Sequence, residues 1–401
     1  MKILFATPVP PLLHKPRPHY FIRGLASRGH EVHLLTQIPS KRSAAVLPKV
    51  PGWQEIVEAC SSINHVVVPK RRSYAQCALS LPTATPLRVA YCRSPEFTLK
   101  AQQLIRRHGC DVLHVDRERI APAFSSLSLP KVLDATDSIT LYLRRMLHYG
   151  PLLKRLISAV ELLKMPGFEG KMAAGYSICL VTSYEDAQAL RSAGSQTELE
   201  VLPNGVDARL FNSTPGKTAD TLLFVGGLYY APNADAAKWF TRYIFPRVKR
   251  ARPKVQLHLV GQWPGRAVQR LARIPGVMVT GTVWDVMSYL ERTTVFVAPL
   301  RVGGGFPNKV GEALAAGVPV VATPAAYAGI PGLEHGTHLL EAKDPEEFAN
   351  KTLQLLEDPD LRSRLSDAGR NFMQASPYTW DNIVARLEST YHSSIAAWNK
   401  G

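Results

Sequence analysis

The chain has 401 residues, more than one ordinary hydrophobic core accommodates, so two domains of roughly 200 residues each are expected, with a cleft between them. Its 46% hydrophobic and 20% charged residues exclude a disordered or fibrous protein. The net charge of +16 is front-loaded, since residues 1–100 hold 14 Lys/Arg against 4 Asp/Glu, which points to an anionic partner: a membrane face, a phosphorylated acceptor or nucleic acid.

Nucleic acid is set aside because no zinc-finger spacing, RNA-recognition signature or basic heptad region is present. Membrane or acceptor contact is preferred to a merely solvated basic face. Cys60, Cys77, Cys92, Cys110 and Cys179 are odd in number and widely spaced, so neither a disulfide framework nor a zinc site is expected. The apolar start Ile3–Ala6 is cut short by Pro8, Pro10 and Pro11, too soon for a signal peptide. The expected compartment is the reducing cytoplasm, with possible peripheral placement at the inner membrane face.

In chain order, Ile3–Thr7 reads as a first strand, followed by a helix around His19–Arg28 and a second strand over Gly29–Thr36, with Gly29 as a left-handed cap. Further buried parallel strands are expected at Val112–Val115, Lys131–Leu133 and Ile178–Thr182, making an open doubly wound sheet. A hinge is placed between Leu202 and Ala219. A second sheet begins near Thr221 and repeats the pattern at Val255–Val260, Val277–Thr280, Val295–Pro299 and Val318–Ala322. Ala313–Ile330 is uncharged over 18 positions, but Gly317, Pro319 and Pro324 break it into helix, turn and strand, so it is not read as a membrane span. The expected domains are 1–205, 206–379 and a last helix in 380–401 that crosses back to the first.

The segment carrying most chemistry runs from Ala298 to Val321. Gly303, Gly304 and Gly305 stand between a strand and a helix, followed by Phe306, Pro307, Asn308 and Lys309. Glycines let the backbone approach a ligand, and free amides at a helix start favour an anion such as a diphosphate. Arg301 and Lys309 add positive charge, and Glu312, one turn on, has the chemistry to accept hydrogen bonds from two sugar hydroxyls. The plainer reading is a glycine-rich turn with solvated Lys and Glu.

This segment resembles the signature of the retaining GT-B glycosyltransferases of group 1 type, in which two Rossmann-like domains face each other across a cleft. Val201-Leu202-Pro203-Asn204-Gly205-Val206-Asp207 is similar to that family's interdomain segment, Leu257–Gly261 to a core strand, Val279–Val283 to the turn near the nucleotide base, and the Trp380 region to its terminal helix. Phe224-Val225-Gly226-Gly227 with Pro232-Asn233, Trp239-Phe240 and Asn308-Lys309 resembles the sugar transferases associated with bacterial exopolysaccharide export. The resemblance implies an enzyme moving a hexose from a nucleotide-sugar to a glycan or lipid-linked acceptor, with retention and without metal or cofactor. Gly226, Gly227, Val283, Gly303, Gly304, Gly305, Phe306, Pro307, Asn308 and Glu312 would hold the donor, with Arg301 and Lys309 stabilising the departing diphosphate.

Several positions depart from the family pattern. Gly304 stands where the first Glu of the Glu, seven residues, Glu motif belongs, which leaves the donor sugar open. Gly227 and roughly Asn233 replace an Arg and a Lys. The Pro8–Pro18 loop lacks a glycine pair, and Lys15 or Arg17 is either an electrostatic substitute or solvated. On the acceptor side, Asp134 and Asp137 are read at loop positions after a strand, to hold hydroxyls or to cap a helix. Asp116 takes the position usually held by a second His, and His114 reads as a core residue. Asp358-Pro359-Asp360 reads as a helix cap rather than a metal site. Lys70-Arg71-Arg72 with Tyr74, and Arg144-Arg145 with Lys154-Arg155 among leucines, suit anionic headgroups or an ordinary basic surface. The alternatives are a non-catalytic GT-B-fold binding protein, a nucleotide-sugar epimerase, for which no acid and base are identified, and a dehydrogenase, disfavoured because no Gly-x-Gly-x-x-Gly follows the first strand.

Overall fold

The computed structural model describes the chain apart from residues 14, 150–151, 215–219, 284, 303–304 and 401. It divides into two compact units. The first takes in Met1–Leu147, Leu152–Pro203 and Trp380–Gly401, and the second takes in His148–Pro151 and Asn204–Thr379.

The first unit is built on seven strands: β1 (Lys2–Thr7), β2 (Glu31–Ile38), β3 (Ser62–Val67), β4 (Val112–Asp116), β5 (Lys131–Thr136), β6 (Ile178–Val181) and β7 (Leu199–Val201), in spatial order β3-β2-β1-β4-β5-β6-β7. The second holds β8 (Thr221–Val225), β9 (Gln256–Val260), β10 (Val277–Gly281), β11 (Val295–Ala298), β12 (Val320–Ala322) and β13 (Leu340–Glu341), in order β10-β9-β8-β11-β12-β13. Every pairing is parallel. Each sheet therefore reverses its winding once, between β1 and β4 and between β8 and β11, and ligands of such sheets bind where the strands end at that point.

The central strands read as unbroken apolar runs because helices cover both faces. Along β1 the alternation is visible: Leu4 and Ala6 enter one core layer with Leu113, Val115 and Leu133, while Ile3 and Phe5 enter the other with Val112 and Val132. That second layer is closed by Phe21, Ile22 and Leu25 of the Pro16–Ser27 helix and by Trp380, Ile383, Val384, Leu387 and Tyr391 of the Trp380–Trp398 helix. The two helices cross so closely that a Cβ on Gly24 would lie 2.6 Å from a methyl of Val384.

The first helix ends as its glycine requires. Gly29 has φ +84°, its N–H donates to the Ala26 carbonyl at 3.0 Å, and the His30 N–H reaches back to Leu25 at 3.1 Å. The helix begins at Pro16, three residues before the expected start, so Arg17 is helical rather than part of the first loop. Asp358 caps the Pro359–Ala375 helix through Oδ1, which accepts from the Leu361 N–H at 2.9 Å. The five cysteines are free thiols. Among the described residues no helix is long and apolar enough to cross a membrane.

Candidate functional site

At the winding reversal of the second sheet the chain leaves β8 through Gly226-Gly227 and leaves β11 through the glycine loop. The Gly226 N–H donates to the Val260 carbonyl at 3.0 Å, and a Cβ on Gly261 would fall 1.7 Å from the Gly226 oxygen, so only glycine fits there. Asn233, at the position where a cation was missed, is buried and donates from Nδ2 to the Gly227 carbonyl at 3.1 Å. It braces the loop and does not replace the absent charge.

Gly303 and Gly304 lie outside the described residues. Gly305 has φ +65°, and the backbone of Gly329 packs so near that a Cβ there would sit 2.3 Å from the Gly305 oxygen. Thr323 Oγ1 donates to the Leu300 carbonyl, fixing the entry to the same loop. Phe306 is buried, its ring 5.1 Å from that of Tyr378, and Pro307 precedes the helix Asn308–Ala315, whose first amides receive no side-chain cap. An uncapped helix start at a sheet's reversal point suits an anion.

Three segments meet along that helix. Asn204 Nδ2 donates to Asn308 Oδ1 at 3.1 Å, the Val206 N–H donates to the Tyr378 carbonyl at 2.7 Å, and Gly311 leaves room for Val206, whose Cγ1 would be 3.3 Å from an added Cβ. Asp207 is thereby brought toward Glu312. Burial raises the Glu312 carboxyl to about 7, with Lys309 opposing and Asp207 adding to the rise. Burial lowers the Lys309 amine to about 8, with Glu312 opposing. Both groups therefore change charge near neutrality, and an incoming diphosphate favours the charged ammonium.

Arg301 is held differently. Its Nε and Nη2 donate to the two oxygens of Asp235 at 2.9 and 2.7 Å, and the guanidinium lies 5.8 Å from the Trp239 ring centre. Part of the positive charge expected to face a diphosphate is offset by Asp235. Next along the sheet edge, Val279, Thr280, Gly281 and Thr282 line a depression of about 590 Å³ with Trp263 and Gln269. Val283, half-buried, packs on the core beside it.

Of the acceptor-side residues in the first unit, one is placed otherwise than expected. Asp134 is not on a loop: it is inside β5, 1% exposed, and Arg17 Nε donates to its Oδ2 at 2.6 Å. Arg17 Nη1 also donates to the carbonyls of Leu202 and Pro203, at 2.9 and 3.2 Å, so this arginine is a buried tie rather than a loop cation. Asp116 ends β4, buried, with Oδ2 accepting from Thr7 Oγ1 at 2.9 Å, and burial raises its carboxyl above the usual range. Asp137 lies on the loop after β5 and accepts from Thr182 Oγ1 at 3.0 Å. Neither Asp134 nor Asp137 caps the Ile139–Tyr149 helix; buried Glu169 accepts from its first amides, and Asp186 from the Ser138 N–H at 2.8 Å.

His114 is fully buried, stacked 4.2 Å from Phe5, and bonded through Nδ1 to the Tyr391 hydroxyl at 2.8 Å. It belongs to the core. Lys15 is half-buried among Arg117, Arg119 and Asp116, and burial with the two arginines lowers its amine to about 8. Asn204, Asp207, Asp235 and Gly329 were not singled out as site residues. Asn204 and Asp207 sit within the Val201–Asp207 motif, whereas nothing in the spacing marks Asp235 or Gly329.

Residues 219–358 match the family model described as "Glycosyl transferases group 1". The chain is 28% identical over 229 residues to a GDP-mannose-dependent monoacylated α-(1-6)-phosphatidylinositol monomannoside mannosyltransferase of Corynebacterium glutamicum, covering 50% of this chain and 58% of that one. It is 26% identical over 245 residues to a GDP-mannose-dependent α-(1-6)-phosphatidylinositol monomannoside mannosyltransferase of Mycobacterium tuberculosis, covering 55% and 62%. The match thus spans about three-fifths of these curated relatives' length. Among solved structures, sucrose-phosphate synthase from Thermosynechococcus elongatus superposes with a TM-score of 0.70 at 17% identity over 99% of this chain and 100% of that one. Anabaena HepE in complex with UDP-glucose gives 0.66 at 15% identity over 98% and 100%. The chain has the GT-B fold, two Rossmann-like parallel-sheet units, and its second unit carries the group 1 glycosyltransferase match over residues 219–358.

Proposed function

We propose that this protein is a glycosyltransferase that moves a hexose from a nucleoside-diphosphate sugar to a glycan or lipid-linked acceptor in bacterial glycolipid or polysaccharide synthesis, with retention and without a metal. The observation that carries this reading is the Lys309–Glu312 pair on the uncapped helix that follows the glycine loop at the second sheet's winding reversal. Breaking the bond between the sugar and the diphosphate leaves negative charge on the departing phosphate. The Lys309 ammonium, backbone amides of the glycine loop before Asn308 and, less strongly, Arg301 would stabilise it. Glu312 would accept hydrogen bonds from ribose hydroxyls. No protein base is assigned.

The relatives' names make GDP-mannose the first donor to test and UDP-sugars the second, because a structural neighbour holds UDP-glucose. The exopolysaccharide assignment is the narrower form of the same reading. The test is a thermal-shift and hydrolysis screen against GDP, UDP, ADP and their sugars, with and without EDTA. One nucleoside diphosphate should raise the melting temperature, and its sugar should be released slowly in EDTA. A complete absence of binding to all of them would sink the donor site, while binding without turnover in the presence of acceptor would favour a non-catalytic protein.

A further inference from the structure

One helix of the first unit is turned inside out. In Leu152–Leu162, the side chains of Leu152, Leu153, Leu156, Ile157 and Val160 are between 38% and 71% exposed, and Leu163 just beyond is 86% exposed. The helix's fully buried residues are polar, Ser158 and Glu161, with Leu162 packed partly on Ile139, Leu143 and Met165. Glu161 accepts from the Leu87 N–H at 2.5 Å and has Arg88 Nε at 3.8 Å, while Lys164 Nζ donates to the carbonyls of Ser80, Leu81 and Thr85 at 2.7, 3.0 and 3.4 Å. Pulling these charged groups back into solvent-free apolar surroundings without partners is costly, so the orientation is locked by its polar side. Leu79 and Leu81, beside the carbonyls that Lys164 holds, are also exposed and extend the apolar surface.

The charge around this surface is predominantly positive. From Ile139 to Lys164 the only acid is the buried Glu161, against Arg144, Arg145, Lys154, Arg155 and Lys164, and Lys70–Leu81 has three cations and no acid. Arg145 and Arg72 are paired with Glu185 and Glu96, whereas Lys70, Arg71, Arg144 and Arg155 are exposed. Two copies of such a face would set like charges against one another. Beneath the helix a pocket of about 310 Å³ is lined by Leu143, Met146 and Ile157 together with Arg119, Glu161 and Arg88, the last paired with Glu118 at 3.2 Å and Glu161 at 3.8 Å. An outward leucine stripe flanked by cations is the pattern of a helix lying in a lipid interface.

We propose that the Leu152–Leu162 helix lies in the plane of an anionic phospholipid bilayer, with its leucines among the acyl chains and Lys70, Arg71, Arg144 and Arg155 at the headgroups. This docking is independent of the donor reaction and is read without nucleotide. The purified full chain is sedimented with vesicles of phosphatidylglycerol in phosphatidylcholine and with phosphatidylcholine alone. Binding to the anionic vesicles should fall about tenfold in Leu153→Glu with Leu156→Glu, and again in Arg155→Glu or at raised salt. These side chains are exposed, so the variants should keep the parent's melting temperature and any nucleoside-diphosphate shift. Equal pelleting of parent and variants, or equal binding to neutral vesicles, would overturn the proposal. So would a parent dimer that the leucine variants convert to monomer, because a second copy would then be the occupant.

Discussion

Arg301 gives both Nε and Nη2 to one carboxylate, that of Asp235, at 2.9 and 2.7 Å. The pair is 43% exposed on the arginine side, so its contribution to stability should be about 1 kcal/mol or less. Its effect on the reaction should be correspondingly shared. Arg301→Ala should lower kcat/KM by about tenfold, and Asp235→Asn, which keeps the cation, should retain most of the turnover. Steady-state kinetics of both variants decides the matter: a loss in Arg301→Ala as large as in Lys309→Ala would mean that Asp235 does not offset the guanidinium.

Lys309 and Glu312 make a sharper prediction. Lys309→Ala should lower kcat by about a hundredfold, and Glu312→Ala should mainly raise the donor KM. With Glu312 at about 7 and Lys309 at about 8 in the empty site, the carboxylate forms as pH rises through the first value and the ammonium is lost above the second. Donor kcat/KM should therefore be bell-shaped with its maximum between them. Lys309→Arg should straighten the alkaline limb, since a guanidinium stays charged. A profile with the same alkaline fall in Lys309→Arg would assign that limb to another group.

The Arg17–Asp134 pair separates a structural from an acceptor-binding role. Arg17→Ala leaves a buried carboxylate unpaired and should cost about 3–5 kcal/mol in denaturant unfolding. Asp134→Asn should likewise lose stability, with the acceptor KM little changed in whatever fraction stays folded. A fully stable Asp134→Asn protein with a raised acceptor KM would return Asp134 to the acceptor site.

His114 should make the first unit sensitive to acid. Burial lowers its imidazole to about 4 from 6.5, so the unfolded chain binds the proton first as pH falls. The stabilisation is complete above about 6.5 and is lost as pH drops toward 4, amounting to about 3 kcal/mol. Comparing unfolding free energies of the parent and His114→Gln at several pH values isolates this contribution. An unchanged difference across that range would show that the buried ring does not titrate as described.

Both sheets were legible where strands are buried on two faces, because segments such as Ile3–Thr7 and Val112–Val115 in the first and Val295–Pro299 in the second are predominantly apolar. The edges were not. The half-buried β3 and β7 and the two-residue β13 alternate too weakly or end too soon to stand out. Asp134 was misplaced because β5 runs three residues past Leu133, carrying a charged side chain inward where a distant arginine and the Thr136 hydroxyl satisfy it. The signal for Arg17 was present in Pro16, a residue favoured in a helix's first turn, but its partner 117 positions away was not. The glycine loop and Lys309 announced themselves by composition, whereas Asp235 is matched to Arg301 only by the fold.

The Trp380–Trp398 helix has a consequence for synthesis. It supplies Trp380, Ile383, Val384, Leu387 and Tyr391 to one face of the sheet formed by the first two hundred residues. On the ribosome that face stays incompletely covered until residues 380–398 have emerged, while Asn204–Thr379 is contiguous and can close on itself earlier. The second unit should thus be able to close before the first is sealed, although its residues are made later.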